Sequence, residues 1–225
     1  NRTAILPEYK KREQKLGFDR EDFHKQKEEV MALMTRLNCQ VVFKSSMEAD
    51  DLIYLLTRKL QGEKTILSSD KDFNQLLSDT VQIYNPSKEI RVTPKTIERH
   101  FGYTVEQSVD YLCLTGDKSD NISGYKGIGE KTALDFLNKH SSIKKYLKAD
   151  MQYKKINNAL LADIYARNKY LIDLKYFYRK FYLGMGIPYF GKPLFDAIYV
   201  AKISRQFGIN TFSKTDFLKT FKELK

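Results

Sequence analysis

Seven carboxylates stand in three tight groups along this chain: Glu48, Asp50 and Asp51; Asp70 and Asp72; Asp117 and Asp120. The first two groups each follow a short apolar run that reads as a strand, and each opens a segment that reads as a helix. The third falls in the turn after a helix expected over 105–115. In a parallel α/β sheet the functional crevice lies beyond the carboxyl ends of the strands, so the first two groups are expected to converge at one edge and the third to join them. Acids at helix N-termini also serve as ordinary caps. Seven in one crevice, however, would repel one another and raise one another's pKa values, a cost that hard cations remove. No His or Cys belongs to the set, and oxygen-only ligation favours Mg²⁺ or Mn²⁺ over zinc. An acidic centre in a basic protein repels a phosphate backbone unless metals reverse its sign. Two metal ions activating water on a phosphodiester satisfy these constraints together.

A second feature is the run Gly124-Tyr125-Lys126-Gly127-Ile128-Gly129-Glu130-Lys131-Thr132. It departs from a P-loop because Glu130 stands where Lys should follow the second glycine. It departs from the dinucleotide fingerprint because Thr132 replaces the third glycine and no strand precedes it. Gly127-Ile128-Gly129 opening a helix still presents free N–H groups to an anion, with Lys126 and Lys131 flanking it and Thr132 in the first turn. A nucleic-acid phosphate is a more natural ligand for such a turn than a nucleotide.

The elements that must position these residues are legible in outline. Asp19 is a good N-cap for a helix with Asp22 in its first turn and an apolar stripe of Phe23, Val30, Met34 and Leu37. Strands are expected at Val41-Val42-Phe43, Thr65-Ile66-Leu67, Val81-Gln82-Ile83-Tyr84 and Ile90-Arg91-Val92, the last two around the Asn85-Pro86-Ser87 turn. Leu52, Leu55, Leu56 and Leu60 mark a second amphipathic helix, and Phe73, Leu76 and Leu77 a short one. This alternation argues for a parallel α/β sheet. Beyond residue 92 the pattern turns helical. Thr93-Pro94 opens a helix that Gly102 ends, Thr104 and Gln107 form a capping-box pattern, and a further helix is expected near 195–207. Residues 144–180 carry ten Lys or Arg against three Asp.

Composition bounds the function. The chain has 225 residues, enough for one large or two small domains. Its 42% hydrophobic content excludes global disorder, and its apolar runs are too short for a membrane span. Lys and Arg number 39 against 28 Asp and Glu, a net charge of +11 that points to a polyanion partner, nucleic acid first. Cys39 and Cys113 are too few for a disulfide scaffold or a zinc site and fit a reducing compartment. With no signal peptide visible, a soluble intracellular protein is expected.

Four blocks in order resemble the 5′-nucleases, which include the flap endonucleases and the 5′→3′ exonuclease domain of bacterial DNA polymerase I. They are Leu6-Pro7-Glu8-Tyr9-Lys10, Glu48-Ala49-Asp50-Asp51, Ser69-Asp70-Lys71-Asp72-Phe73-Asn74-Gln75-Leu76, and Gly116-Asp117-Lys118-Ser119-Asp120-Asn121-Ile122. The run from Gly124 to Lys131 is similar to that family's helix–three-turn–helix motif. Tyr170-Leu171-Ile172-Asp173-Leu174 looks closest to bacteriophage members called ribonuclease H, which remove primers during lagging-strand synthesis.

The resemblance implies a PIN/flap-endonuclease-like α/β fold with a parallel sheet, followed by a helical DNA-binding half. The expected division is residues 1–92, nuclease core with a remnant of the family's helical arch over 1–18, and 93–225, the helix–three-turn–helix region and C-terminal helices. It implies Glu48 and Asp50 at a first metal with Asp51 assisting, and Asp70, Asp72, Asp117 and Asp120 at a second. Lys10 resembles the active-site lysine at the base of the arch, with Arg12 sharing its role. In some relatives a K⁺ ion sits in the helix–three-turn–helix loop on backbone carbonyls, which match Leu114, Thr115, Ser123, Tyr125 and Ile128. The family's first strand and a later one carry metal-ligating Asp residues that would precede Leu6. The chain thus reads as about the C-terminal two-thirds of the fold, with a separate N-terminal segment or replication proteins as partners.

The function expected is a divalent-metal-dependent 5′→3′ exonuclease or flap endonuclease. Its substrates would be DNA with a 5′ flap or free 5′ end and RNA–DNA hybrids, in the cytoplasm of a bacterial cell or phage-infected host. Two other classes remain: a catalytically incomplete, structure-specific DNA-binding protein, and a PIN-type ribonuclease.

Overall fold

The computed structural model describes residues 2–11, 19–154, 156–209 and 214–224. In chain order these form α1 (Arg20–Arg36), β1 (Val41–Val42), α2 (Ala49–Lys59), β2 (Lys64–Leu67), β3 (Val81–Asn85), β4 (Ile90–Val92), α3 (Ile97–Phe101), α4 (Ser108–Thr115), β5 (Gly116–Asp117) and β6 (Ile122–Ser123). There follow α5 (Glu130–His140), α6 (Ile143–Lys148), α7 (Asn158–Ile172), α8 (Leu174–Phe181), β7 (Tyr189–Phe190), α9 (Ala197–Phe207) and α10 (Thr215–Lys222). The chain divides into two compact units, Asn1–Arg12 with Ile53–Met185, and Glu13–Leu52 with Gly186–Lys225. Residues on either side of the expected 92/93 division thus fall in one unit.

The first unit holds a three-stranded sheet in the order β2-β3-β4. β2 runs parallel to β3 with Ile66 opposite Ile83, and β4 returns antiparallel with Val92 opposite Ile83. Val81, Ile83 and Val92 are buried, the period-2 burial of a sheet covered on one face. The Asn85 side chain accepts the Lys88 N–H at 3.0 Å and closes the connecting turn. The expected strands therefore form, but only one strand pair of this sheet is parallel.

The short helix expected through Phe73 forms as a 3-10 turn, Lys71–Leu76, capped by Asp70. Thr93 and Pro94 open a turn rather than a helix: the Thr96 and Ile97 N–H groups both bond to the Thr93 carbonyl, and α3 begins only at Ile97. Gly102 ends α3 in the left-handed conformation, φ 79°, where L residues with a Cβ are strained. Gln107 accepts the Thr104 N–H at 3.1 Å, as the capping-box pattern requires.

The helical part of this unit packs around α4, whose Leu112, Cys113 and Leu114 are almost wholly buried. Phe136 of α5 is fully buried against the rings of Tyr146 and Tyr153, at centroid distances of 4.8 and 5.3 Å. Asp110 ties α4 to the start of α6 by accepting the Ile143 N–H at 2.8 Å. Burial raises the Asp110 carboxyl above its ordinary pKa, against the lowering effect of the Ile143 N–H, the Tyr165 hydroxyl and Lys169.

The second unit is built on α1 and α9. Asp19 caps α1 as expected, accepting from the Glu21 and Asp22 N–H groups at 2.8 and 3.2 Å. The buried face keeps Leu37 of the expected stripe and replaces the rest. Leu33 and Leu37 pack with Val200 and Ile203 of α9, whereas Phe23 and Val30 are about half exposed. β1 does not join the sheet of β2: Val41 and Val42 pair antiparallel with Phe190 and Tyr189. The partner lies far along the chain, and local alternation of strand and helix carries no trace of it. Among the described residues no helix is long and apolar enough to cross a membrane.

Candidate active site and nucleic-acid interface

In the first unit, two of the acidic groups are joined by a lysine. Asp70 caps the 3-10 turn, its Oδ1 accepting the Asp72 N–H at 2.9 Å, while its own N–H donates to Ser68 Oγ at 3.0 Å. Lys71, between the two acids, points its ammonium at Asp117 Oδ2, 3.9 Å away. Asp117 is buried in the β5–β6 hairpin. Its other oxygen accepts the Ser119 N–H at 2.8 Å and the Ser119 hydroxyl at 2.6 Å. Burial pushes the Asp117 carboxyl up, but the Ser119 hydroxyl, Lys71 and the backbone N–H groups of Ser119 and Asp120 outweigh it and hold the group below the usual carboxylate range. Asp117 is therefore ionised at neutral pH.

The hairpin loop also holds the N-terminal segment. Lys10 Nζ lies 3.5 Å from Asp120 Oδ2, and the Lys10 N–H donates to the Asp120 carbonyl at 3.1 Å. The Asn121 amide donates to the Glu8 and Lys11 carbonyls at 2.8 and 2.7 Å. Further back, Arg2 is buried with its guanidinium 3.7 Å from the centre of the Phe177 ring, and its Nε donates to the Leu171 carbonyl at 2.9 Å. Lys10 sits in a turn at φ 51°, bonded through both backbone and side chain. Arg12, expected to share its role, lies outside the described residues.

Gln75 anchors the turn that carries Asp70 and Asp72. Its amide donates to the Ile172 carbonyl at 3.1 Å and its oxygen accepts the Leu174 N–H at 3.0 Å, tying the turn to the α7–α8 junction. Glu48, Asp50 and Asp51 stand in the second unit around the start of α2. Asp51 is wholly buried, whereas Glu48 and Asp50 keep partial exposure.

The donor set suits a hard cation in kind, since it consists of carboxylates alone. In number it is sparser than expected: among the described residues no group of three or more His, Cys, Asp or Glu could hold a metal ion. Mg²⁺ is commonly held by one or two carboxylates, with water and substrate phosphate completing its shell, so pairs of acids still fit it.

The glycine turn is positioned by two close approaches. A Cβ on Gly124 would collide with backbone atoms of Leu114, Thr115 and Gly116, and one on Gly116 with backbone atoms of Ile122 and Gly124. The Tyr125 N–H then donates to the Leu114 carbonyl at 2.8 Å. Gly127 follows at φ 88°, and Gly129 precedes α5 with no side chain capping the helix. Lys126, Gly127, Gly129 and Lys131 are exposed and Thr132 partly so, while Ile128 is buried and anchors the turn. Exposed glycine backbone, an uncapped helix N-terminus and two lysines form a surface suited to a phosphate.

Of the five backbone positions matched to K⁺, Ser123 is already engaged. The Ser123 carbonyl already accepts two donors, Arg167 Nη2 at 2.8 Å and Asn168 Nδ2 at 2.9 Å, which fills its two lone pairs. The Leu114 and Tyr125 carbonyls accept backbone N–H groups. Reading the sequence missed Arg167 and Asn168 altogether. Lys71, Gln75, Ser119 and Asn121 lay inside the four blocks, and their positions beside the acids were the available signal.

Comparison with known proteins agrees with this architecture. Residues 1–102 match the family model of the 5′-3′ exonuclease N-terminal resolvase-like domain, and residues 103–176 match that of the 5′-3′ exonuclease C-terminal SAM fold. The chain belongs to the 5′-3′ exonuclease family. It is 41% identical over 131 residues to the thermostable DNA polymerase I of Thermus filiformis, covering 57% of this chain and 16% of that protein. It is 36% identical over 146 residues to a 5′-3′ exonuclease of Buchnera aphidicola subsp. Schizaphis graminum, covering 64% of this chain and 50% of that one. The chain thus spans about half, or much less, of the length of these relatives. In fold it is similar to the bacteriophage T5 5′-exonuclease solved with zinc (TM-score 0.67, 19% identity, 98% of this chain and 76% of that one). It is also similar to the T5 D15 flap endonuclease solved with DNA and metal ions (TM-score 0.65, 20% identity, 99% and 80%).

Proposed function

We propose that this chain carries the catalytic and DNA-gripping parts of a divalent-metal-dependent 5′-nuclease that cleaves DNA and RNA–DNA at 5′ ends and flaps, as in primer removal. The observation that carries the reading lies within one compact unit. There Lys71 links the Asp70–Asp72 turn to Asp117, Lys10 meets Asp120 beyond it, and the glycine turn follows directly on the same hairpin. Family membership supports the reaction class, and the T5 proteins of similar fold, solved with metal ions and with DNA, support the cofactor and the substrate.

In this reading the Asp70–Asp72 turn and the Asp117–Asp120 hairpin would each offer a pair of carboxylates to Mg²⁺ or Mn²⁺, with water and substrate phosphate completing the shell, and Glu48 and Asp50 would serve a second ion. Asp51, being wholly buried, would assist them without meeting solvent. Such ions polarise the phosphoryl group and lower the pKa of bound water. Lys10 and Lys71 neutralise Asp120 and Asp117 while the site is empty of substrate, and each ammonium then turns to the negative charge that builds on the scissile phosphate. Gly127, Gly129, Thr132, Lys126 and Lys131 grip the duplex backbone without reading sequence.

A second reading, a DNA-binding protein without catalysis, is favoured by one observation: no described group of three or more ligating residues could hold a metal ion. The test is incubation with a 5′-flap DNA, a blunt duplex, an RNA–DNA hybrid and an unstructured RNA, in Mg²⁺ and in EDTA. Mg²⁺-dependent release of short 5′ products from the flap supports the proposal. Binding without cleavage supports the second reading, and preference for the unstructured RNA supports a PIN-type ribonuclease.

A further inference from the structure

The carbonyl of Ser123 ends β6 immediately before the glycine turn, and it is held from α7. Arg167 Nη2 donates to it at 2.8 Å and Asn168 Nδ2 at 2.9 Å. Neither donor is adventitious. Asn168 is wholly buried; its amide also donates to the Cys113 carbonyl at 3.1 Å, and its oxygen accepts Arg167 Nε at 3.0 Å. The guanidinium is therefore fixed at two nitrogens, one on the turn and one on a buried neighbour. The Tyr125 hydroxyl, two residues past Ser123, accepts the Asn157 N–H at 2.9 Å beside the start of α7.

The electrostatics of this corner call for positive charge. α4 ends at Thr115, and the carbonyls of its last turn form the negative end of its dipole. The Ser123 carbonyl adds its own partial negative charge, and Gly116 and Gly124 bring the two strands into closest approach there. A bound monovalent cation would be one way to hold such a cluster of carbonyl oxygens. A guanidinium donated by the chain is another, and it supplies charge and directed N–H donors together.

We propose that Arg167 is the positioning residue of the glycine turn, and that its guanidinium takes the place of a bound monovalent cation. The grip of the turn on a phosphate backbone is then independent of K⁺. Asn168 serves as the buried brace that aims Arg167. The inference rests on the reading of this turn as a phosphate site, and it makes the opposite statement about K⁺ from the one the family resemblance suggests.

The experiment compares the full chain with its Arg167→Gln and Arg167→Lys variants in KCl, NaCl, LiCl and tetramethylammonium chloride at equal ionic strength. Duplex binding is read by fluorescence anisotropy of a labelled blunt DNA, and folding by the thermal midpoint. The parent is expected to bind equally, within about twofold, in all four salts. Arg167→Gln is expected to lose roughly tenfold in tetramethylammonium, the scale of one charge-assisted hydrogen bond. It should regain most of that loss in K⁺ or with millimolar guanidinium added, and Arg167→Lys should fall between. A parent that needs K⁺ overturns the proposal. So does an Arg167→Gln variant that matches the parent in every salt, or one whose loss no cation restores, since that would mark a purely structural role. If no form binds duplex, the phosphate-site reading fails by itself, and salt dependence of the thermal midpoints still decides the role of Arg167.

Discussion

Replacing Gly124 by Ala tests the geometry that presents the candidate phosphate turn. The added Cβ would meet the Leu114 carbonyl oxygen, the Thr115 carbonyl carbon and the Gly116 nitrogen. All are backbone atoms, fixed by α4 and by the β5–β6 pairing, so no side chain can swing aside. Overpacking in a tight site costs typically 1–3 kcal/mol, and backbone on three sides puts Gly124→Ala at the upper end, about 3 kcal/mol. In a chain of this size each kcal/mol moves the thermal midpoint by roughly 2–4 °C, so a fall of about 6–12 °C is expected. Gly127→Ala is the control. Nothing lies within 4 Å of its added Cβ, and the only penalty is the positive φ of 88°; a residue with a Cβ there costs about 1 kcal/mol, or a few degrees. The assay is circular dichroism melting, followed by duplex binding at 20 °C. A Gly124→Ala midpoint within 1 °C of the parent, or a larger loss at Gly127, would refute the close-approach argument.

Other expectations follow from the same structure. Removing the charges of Lys126 and Lys131 together should weaken duplex binding for all sequences and flatten the slope of log affinity against log salt by about 1 for each phosphate no longer neutralised; an unchanged slope would return both lysines to the solvated surface. Lys10→Ala should slow single-turnover cleavage by roughly 10²-fold or more, the scale of losing one transition-state donor, with a much smaller change in affinity. A rate within a few-fold of the parent would leave Lys10 as an ion-pair partner of Asp120 alone. For Asp110, burial raises the folded pKa, so its contribution to stability is fully present below the ordinary carboxylate range and is lost as pH rises through the raised value. Asp110→Asn lacks that dependence. The parent's midpoint should therefore fall relative to the variant's between pH 4 and neutrality, and a difference that grows in the parent's favour would contradict the assignment.

How much could be read from the sequence depended on distance along the chain. The Asp19 cap, the Gly102 helix end and the capping box at Thr104 rest on residues within a few positions of each other, and all three formed. The stripe assigned to α1 held only at Leu37, because the face that a helix buries is chosen by its partner. Here α9 selects Leu33 and Leu37 and leaves Val30 exposed. The antiparallel pairing of β1 with β7 joins two-residue strands that lie far apart in the chain, and neither carries a pattern that names the other. The candidate site divides in the same way. Its acids fell in recognisable blocks, whereas Arg167 and Asn168 reach Ser123 from α7, 44 and 45 residues further along the chain, and no local pattern marks them.

In the proposed function the carboxylates of the Asp70–Asp72 turn serve metal-dependent phosphodiester cleavage rather than capping alone. Asp72→Ala tests it most directly, since the Asp70 cap and the Lys71–Asp117 ion pair can both persist in that variant. The measurement is single-turnover cleavage of a 5′-flap DNA in Mg²⁺ by an active parent form, with duplex binding measured on the same preparations. Cleavage should be abolished while binding is retained or slightly strengthened, because a negative charge near the phosphate backbone has been removed. Near-parental turnover in Asp72→Ala would contradict that role.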